Sequence, residues 1–248
     1  MGSRVIDSFQ YTTSEFVNSL NCGEILPHYQ PIIDLQSGCI HSCELLARWL
    51  HPRIGLIYPD RFISYVQIDR LDMALALTLF EWGVKWRPFG NAIRLAVNVG
   101  AGSLSEPRVI RYFQRIASRH SFDLSGLILE VTEVEIVGNL DMTRRNLNEL
   151  RRQGCTICID DYGSGYAARN LRDLMPVNSV KIDRLLVAEA RGCEDRRAYL
   201  HSIVNNLLAQ DLEIIAEGIL DVVDVENCRA MGIGLGQGYG LGYGCMIF

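Results

Sequence analysis

The stretch Gly154 to Tyr166, G-C-T-I-C-I-D-D-Y-G-S-G-Y, decides how this sequence is interpreted. Its first half, Cys155 to Ile159, consists mainly of small and β-branched apolar residues after a glycine, which predicts a short buried strand. Asp160 and Asp161 follow at the carboxyl end of that strand, and glycines come next, where a chain turns sharply or a ligand approaches its backbone. Two carboxylates about 4 Å apart repel by about 4 kcal/mol at an effective dielectric constant near 20. We therefore expect a positive group between them.

Two other interpretations of this stretch stay open. An Asp-Asp pair in a loop is often a solvated turn or a helix cap. The run from Gly163 to Ala168 also fits the dinucleotide pattern G-x-G-x-x-A, and Asp183 lies 20 residues after Gly163, where a ribose-binding acid is expected. A pyrophosphate would then sit beside the two acids with no basic residue between them and the glycines. A metal site is therefore favoured over a dinucleotide site.

Length and composition limit the possible classes. With 248 residues the chain has the size of one (β/α) barrel, and we expect a single domain over 1–248, with a helical lead-in over 1–24 and the barrel from about 25 to 248. Apolar residues make up 48% and charged residues 21%, as in an ordinary globular protein. The net charge of −5 offers no basic face, so we expect no polynucleotide partner.

The apolar runs and the cysteines point to a reduced intracellular protein. The longest apolar run, around Met73 to Phe80, is too short for a membrane span, and no signal segment opens the chain. We therefore expect cytoplasmic localisation and no membrane insertion. Eight cysteines are present, but Cys155-x-x-Cys158 has no second pair at zinc-finger spacing. We interpret the cysteines as reduced and mostly buried small apolar residues.

Strand and helix patterns alternate along the chain. Eight strands are predicted, over 28–35, 40–49, 94–99, 127–132, 155–160, 179–183, 213–217 and 233–239. Helices are predicted after a cap at 12–15 and over 59–68, 71–86, 106–119, 142–153, 167–174, 195–210 and 222–231. The first two strands are joined so tightly that they must be antiparallel, and the later connections are long enough for helical crossovers. This pattern predicts an α/β fold, a (β/α)8 TIM-like barrel with an antiparallel first strand; an open doubly wound sheet is the alternative.

Polar residues recur at the predicted strand ends. In strand order they are Glu44 and Arg48, Asn98, Glu130 and Glu133, Asp160 and Asp161, Lys181 and Asp183, Glu217, and Gln237. A single acid at a strand end is more often a helix cap or part of a surface ion pair. Their recurrence at seven strands in succession favours a shared site at the carboxyl end of the barrel.

The charges of this set indicate divalent cations. Five of its acids, Glu44, Glu130, Asp160, Asp161 and Glu217, together with Lys181 carry a net charge of −4, which two divalent cations would neutralise. Every proposed ligand is an oxygen donor, so Mg²⁺ or Mn²⁺ fits better than Zn²⁺. Two such ions about 3.5–4 Å apart are a common arrangement for phosphodiester hydrolysis. Arg48 would then hold a phosphate oxygen.

An ordered set of motifs matches a known family. The first, Glu44-Leu45-Leu46-Ala47-Arg48-Trp49, is similar to E-A-L-x-R-W, and Asp160 to Tyr166 is similar to D-D-F-G-T-G-Y. The others are Tyr29-Gln30-Pro31-Ile32, Leu129 to Glu133, Lys181-Ile182-Asp183, Ile215 to Ile219, and Gln237-Gly238-Tyr239. On this set the chain resembles the EAL-domain family of cyclic di-GMP phosphodiesterases over nearly its whole length.

The resemblance implies a barrel with an antiparallel first strand and the hydrolysis of cyclic di-GMP to linear pGpG at two Mg²⁺ or Mn²⁺ ions. It implies that the metal ligands are Glu44, Asn98, Glu130, Asp160, Asp161 and Glu217. Glu217 would alternatively orient the nucleophilic water, and Lys181 would contact that water or the phosphate. Gln30, Arg48, Asp183 and Gln237 are assigned to the substrate, and Glu133 to the loop after Asp161. It also implies a homodimer through Tyr166 to Leu174.

The sequence departs from the family pattern at four places. Leu45 replaces alanine, Gly100 replaces the serine of N-L-S, and Leu220 replaces a glutamate. The tail after Tyr239 reads Gly240-Leu241-Gly242-Tyr243 in place of S-K-P. None of these changes removes an expected metal ligand, so catalysis is the favoured interpretation. The alternative is a catalytically impaired domain that serves as a cyclic di-GMP receptor or a protein-interaction regulator.

Overall fold

The strands form one sheet that closes on itself. A computed structural model describes residues 11–100, 102–132, 140–163, 176–242 and 244–246. The strands are β1 (Ile25–Asp34), β2 (Ile40–His51), β3 (Gly55–Ile57), β4 (Arg94–Gly100), β5 (Leu127–Thr132), β6 (Thr156–Tyr162), β7 (Ser179–Ile182), β8 (Glu213–Ala216), β9 (Leu235–Gly236) and β10 (Cys245–Met246).

The pairing of these strands is that of a barrel. Parallel pairs run from β2 to β4 and then in sequence to β9, while β1 is antiparallel to both β2 and β9 and closes the sheet. The predicted barrel with an antiparallel first strand is therefore confirmed, and the open-sheet alternative is wrong. Two short strands escaped prediction: β3 pairs with β2, and β10 pairs with β1. Neither is long enough to show a period of two in the sequence.

Helices cover the outside of the barrel. Within the described residues they are α1 (Thr13–Cys22), α2 (Ile63–Ile68), α3 (Asp72–Trp86), α4 (Val109–Arg119), α5 (Leu140–Arg152), α6 (Arg184–Gly192), α7 (Glu194–Leu208) and α8 (Val222–Ala230). The predicted cap before α1 is confirmed, because the Thr12 and Glu15 side chains form a reciprocal capping box.

The structure moves the start of two predicted helices and adds one helix that was not predicted. Residues Pro59–Arg61 form a 3₁₀ turn, so α2 begins later than the predicted start at Pro59. The helix predicted from Glu106 begins only at Val109. Helix α6 was missed; it begins after Asp183, whose carboxylate accepts a hydrogen bond from the Leu185 amide. The helix predicted over 167–174 lies outside the described residues.

The interior of the barrel is filled by apolar side chains, one from each of six strands. They are Ile32, Ala96, Ile128, Cys158, Ile215 and Leu235. Side chains on a strand alternate between its two faces. The residue two positions further toward the end of the barrel where the parallel strands have their carboxyl ends therefore faces inward as well. In the parallel strands that rule adds Asn98, Glu130, Asp160, Glu217 and Gln237; in the reversed β1 it adds Gln30. A polar layer therefore lies directly on an apolar layer.

The cysteines divide evenly between core and surface. Cys43, Cys155, Cys158 and Cys228 are buried, whereas Cys22, Cys39, Cys193 and Cys245 are exposed. The prediction that most are buried is therefore wrong. Of the exposed cysteines, Cys22 ends α1, Cys193 joins α6 to α7, Cys39 precedes β2 and Cys245 lies in β10. Among the described helices, none combines the length and apolarity needed to cross a lipid bilayer.

Candidate active site

Lys181 lies at the centre of the polar layer. Its side chain is 1% exposed, and its Nζ lies 2.6 Å from Glu217 Oε1, 3.0 Å from Asp160 Oδ1, 3.1 Å from Glu44 Oε2 and 3.5 Å from Glu130 Oε1. Burial opposes the charged form of this lysine, but the four carboxylates outweigh that effect and raise its pKa well above its ordinary value. The structure therefore holds an ammonium ion among four acids that come from four different strands or strand ends.

Glu44 is held in its ionised form. Its Oε1 accepts a hydrogen bond of 2.7 Å from Asn98 Nδ2, and its Oε2 accepts one of 2.7 Å from Gln237 Nε2. Burial acts to raise the pKa of Glu44, but Lys181 and these two amide donors outweigh burial and lower it. The predicted residues Glu44, Asn98 and Gln237 are therefore brought together.

Several buried acceptors in this layer accept no hydrogen bond from the described residues. They are both carboxylate oxygens of Glu130, Asp160 Oδ1 and Gln237 Oε1. Burial, together with the negative charge of Glu44, raises the pKa of Glu130 well above its ordinary value. Asp160 Oδ1 and Glu130 Oε1 do form ion pairs with Lys181, but one ammonium cannot offset the charge of four carboxylates, so the cluster indicates a further ligand that supplies positive charge. The residues present thus fit a hard divalent cation.

A bulge aims the two adjacent aspartates at the same space. In a regular strand Asp160 and Asp161 would point to opposite faces. The pairing of β6 with β7 shifts register between Ile159 and Tyr162, and Asp161 has a φ of 55°, in the left-handed region. As a result, ligand oxygens of Asp160, Asp161 and Glu217 lie within 4.8 Å of one another.

The glycine after this bulge is required by its surroundings. Gly163 has a φ of 98°, and a Cβ built on it would fall 2.3 Å from Leu186 Cδ1. A larger residue would therefore meet both backbone strain and a clash with α6. The sequence D-D-Y-G thus encodes a local distortion that serves the acid pair.

Protons and metal cations compete for the carboxylates of this cluster. Burial and the neighbouring Asp160 raise the pKa of Asp161 to about 6. Burial, partly offset by Lys181, raises the pKa of Glu217 to about 7. In mildly acidic solution without bound metal, a substantial fraction of the Asp161 and Glu217 carboxyl groups is therefore protonated.

As the pH rises from about 5 to about 8, we expect the thermal stability of the metal-free protein to fall and the stabilisation by Mn²⁺ to increase. The folded-state pKa values of Asp161 and Glu217 lie above their unfolded values, so their stabilising contribution is present below about pH 4 and is lost as the pH rises through about 6 and about 7. Metal binding requires the ionised acids. Thermal unfolding should thus show a Mn²⁺-induced shift that grows with pH; an equal shift at both ends would contradict this assignment.

The remaining predicted residues have varied positions. Gln30 is the register partner of Glu44 across β1 and β2. Arg48 is half-buried, four residues beyond Glu44 on the same strand. Asp183 is buried and caps α6 with a hydrogen bond of 2.8 Å to the Leu185 amide, so its role toward substrate stays a prediction. Glu133 and the segment 166–174 lie outside the described residues.

The departure at Gly100 has a local explanation. A Cβ on Gly100 would lie 2.7 Å from Asp72 Oδ2, and that carboxylate accepts a hydrogen bond from the Ser103 hydroxyl. Asp72 therefore occupies space that a serine side chain at position 100 would need. With glycine at position 100, Asn98 donates its hydrogen bond to Glu44.

Comparisons with known proteins agree with this geometry. The model of the EAL domain family matches residues 14–242. The cyclic di-GMP phosphodiesterase RocR of Pseudomonas aeruginosa is 27% identical over 227 residues, which are 90% of this chain and 57% of RocR. The cyclic di-GMP phosphodiesterase PdeR of Escherichia coli is 27% identical over 223 residues, 88% of this chain and 33% of PdeR. This chain therefore spans only part of each relative.

A solved structure of the PaMucR phosphodiesterase in complex with c-di-GMP has the same fold. It superposes with a TM-score of 0.83 at 29% identity, covering 94% of this chain and 96% of the other.

Proposed function

Because this chain belongs to the EAL domain family, we propose that it is a phosphodiesterase that hydrolyses cyclic di-GMP to linear pGpG with two Mg²⁺ or Mn²⁺ ions. One observation carries the proposal: four carboxylates from separate parts of the chain meet around Lys181, and buried oxygens of Glu130 and Asp160 lack hydrogen-bond partners among the described residues. An acidic layer of this kind is suited to metal-assisted phosphodiester hydrolysis. RocR and PdeR, named as cyclic di-GMP phosphodiesterases, support the choice of substrate.

The ligands proposed for the ions are the oxygens of Glu44, Asn98, Glu130, Asp160, Asp161 and Glu217. When bound, such ions lower the pKa of a water molecule and stabilise charge on the phosphate oxygens. In this proposal the water oxygen bonds to phosphorus, the P–O3′ bond breaks, and the 3′ oxygen leaves as a hydroxyl group. No other reactant is needed to balance the reaction.

Glu217 and Lys181 have the properties of the groups that handle protons and charge. Glu217 would either bind a metal ion or orient the nucleophilic water, since its carboxylate lies in the acidic layer 2.6 Å from Lys181 Nζ. The Lys181 ammonium, 2.6 Å from Glu217, stays charged, donates a hydrogen bond to Glu44 and would donate another to the incoming phosphate or water. Arg48, Gln30 and Gln237 would face the substrate, with Arg48 binding a phosphate oxygen.

The direct test is a product assay. Purified protein is incubated with cyclic di-GMP and Mg²⁺ or Mn²⁺, and linear pGpG is measured by chromatography with and without a chelator. We expect product with either ion, none in chelator, and recovery on addition of excess Mn²⁺. Binding of cyclic di-GMP without turnover would support the receptor alternative instead. Turnover that is insensitive to chelator would contradict metal dependence.

We also propose a homodimer through the segment 166–174. Described surface residues near Gly163 support it: Leu185 is 61% exposed, and a cleft of about 320 Å³ is lined by Gly163, Leu185 and Tyr199, among others. Leu185 and this cleft are thus open to contact by a second copy of this chain. Light scattering should give the mass of two chains, and Leu185→Glu should give the mass of one. A monomeric wild-type protein would contradict the proposal.

A further inference from the structure

Tyr58 has a fixed place at the mouth of the site. Strands β2 and β3 pair with Trp49 opposite Ile57, so the next pair of the same register sets Arg48 opposite Tyr58. Trp49 and Ile57 are buried in the outer core, and alternation turns their neighbours to the other face. Pro59 follows, and a residue before proline is held in an extended conformation, as the φ of −87° and ψ of 158° at Tyr58 show. The backbone thus fixes where this ring lies.

The Tyr58 ring covers the guanidinium of Arg48. Arg48 Cζ lies 5.0 Å from the ring centroid, within the range of a cation–π interaction. Arg48 Nη1 donates a hydrogen bond of 2.8 Å to the Ala47 carbonyl oxygen, and this bond holds one side of the guanidinium group. Tyr58 is itself 53% exposed, so its ring is not part of the core. Sequence reasoning missed this residue, because a tyrosine before a proline in a loop carries no motif signal.

The surroundings of Arg48 strengthen the effect of the ring. Arg48 is half-buried, and burial lowers its pKa, while Tyr58, Tyr239 and the more distant Glu44 and Asp60 act in the opposite direction. A partly desolvated cation gains more from an aromatic face than a fully hydrated one does. An arginine side chain also loses rotamer entropy when it is fixed in one orientation. An arginine that is already held in place has less of that entropy to lose on binding a ligand.

We propose that Tyr58 is a positioning residue for substrate: it holds the Arg48 guanidinium at the mouth so that its remaining N–H groups meet a phosphate oxygen of cyclic di-GMP. This assignment rests on the proposed function. Tyr58 acts on binding and leaves the hydrolytic step alone, because the acidic layer around Lys181 lies deeper in the barrel and makes no contact with the Tyr58 ring in the described residues. The loss of Tyr58 therefore raises KM and leaves kcat unchanged.

The test is a double-mutant cycle on the full chain. Tyr58→Phe keeps the ring, Tyr58→Leu keeps apolar bulk without a ring, and each is made with Arg48 intact and with Arg48→Ala. The Kd of cyclic di-GMP is measured by calorimetry in chelator, where no turnover is expected, and KM and kcat are measured with Mn²⁺. With Arg48 intact, we expect Tyr58→Leu to raise Kd and KM about 3- to 10-fold and Tyr58→Phe to change them less than about 2-fold. With Arg48→Ala, neither change has a further effect.

The outcomes separate this inference from the proposed function. An equal loss for Tyr58→Leu in both backgrounds, or no loss with Arg48 intact, overturns the role of Tyr58 while wild-type binding and turnover stand. A loss in kcat alone overturns it as well. Wild-type protein that neither binds nor hydrolyses cyclic di-GMP overturns the proposed function, and the role of Tyr58 falls with it. Thermal unfolding of each variant verifies folding, and if Tyr58→Leu is unstable, Tyr58→Ser takes its place in the cycle with the same expected losses, because this exposed position accommodates a small polar side chain.

Discussion

Replacing Glu44 by glutamine is expected to lower kcat about a thousandfold or more in the pGpG assay. Glu44 is the acid whose pKa is lowered, and it accepts hydrogen bonds from Asn98, Gln237 and Lys181. The amide keeps the size of the side chain but removes its charge, and with it one anionic ligand. Metal-assisted stabilisation is worth several kcal/mol, and each 1.36 kcal/mol corresponds to about tenfold in rate.

The same change should only moderately weaken the fold. One amide N–H₂ group of the new side chain would face a donor, and a buried polar group left unsatisfied costs about 1–3 kcal/mol. The matched control is Glu213→Gln. Glu213 belongs to the same kind of barrel strand but lies at its amino end, paired at 3.8 Å with His41. The control should keep wild-type kcat. Equal activity of Glu44→Gln and wild type would contradict the assignment of Glu44 as a ligand.

The barrel could be predicted because its signal is repeated. Five of the parallel strands place an apolar residue two positions before a polar one, as in Ile128 with Glu130 and Cys158 with Asp160. Period-two alternation fixes the face of each side chain once the strand is recognised. The strand order then follows from connection lengths. The shared site at the carboxyl ends was therefore accessible from the sequence before any contact was known.

Other features depend on distances that no sequence pattern carries. The family resemblance implied a contact of Lys181 with water or phosphate, but nothing in the sequence showed that one ammonium contacts Glu44, Glu130, Asp160 and Glu217 together. The bulge at Asp161 was not predicted either. The left-handed φ of this aspartate depends on the surrounding fold, here on the shifted pairing of β6 and β7, and has no signal in the local sequence. Similarly, Asp183 resembled a ligand-binding acid, whereas its observed contact is a helix cap.

The central position of Lys181 leads to the second large effect. In the metal-free protein its ammonium is the cation nearest to four buried or half-buried carboxylates. Removing one partner from a buried ion pair costs about 3–5 kcal/mol, because the remaining charges lose their compensation. A divalent ion bound by the same acids would restore positive charge. The stability of a variant at this position should therefore depend on both pH and metal.

Lys181→Met is expected to lower the melting temperature of the metal-free protein by about 10 °C near pH 8 and far less near pH 5. Without the ammonium, burial and mutual repulsion raise the folded-state pKa of Glu217 further above its unfolded value, and Glu44 loses the main cause that holds its own pKa low. Stability is then retained below about pH 4.5, the ordinary pKa of these acids, and is lost as the pH rises through the raised values. Mn²⁺ should recover part of the loss near pH 8, while turnover stays low because the donor to phosphate or water is gone.

The chain supplies its own control, because Lys85 is its only other lysine. Lys85 is exposed on α3, with Nζ 4.9 Å and 5.2 Å from the ring centroids of Trp82 and Trp86. Lys85→Met removes the same charge from a surface position, so its effect should be small and equal at both pH values. If Lys181→Met lost the same stability near pH 5 as near pH 8, with no response to Mn²⁺, packing around the lysine stem would be the cause. The ammonium would then not be what holds the four acids together.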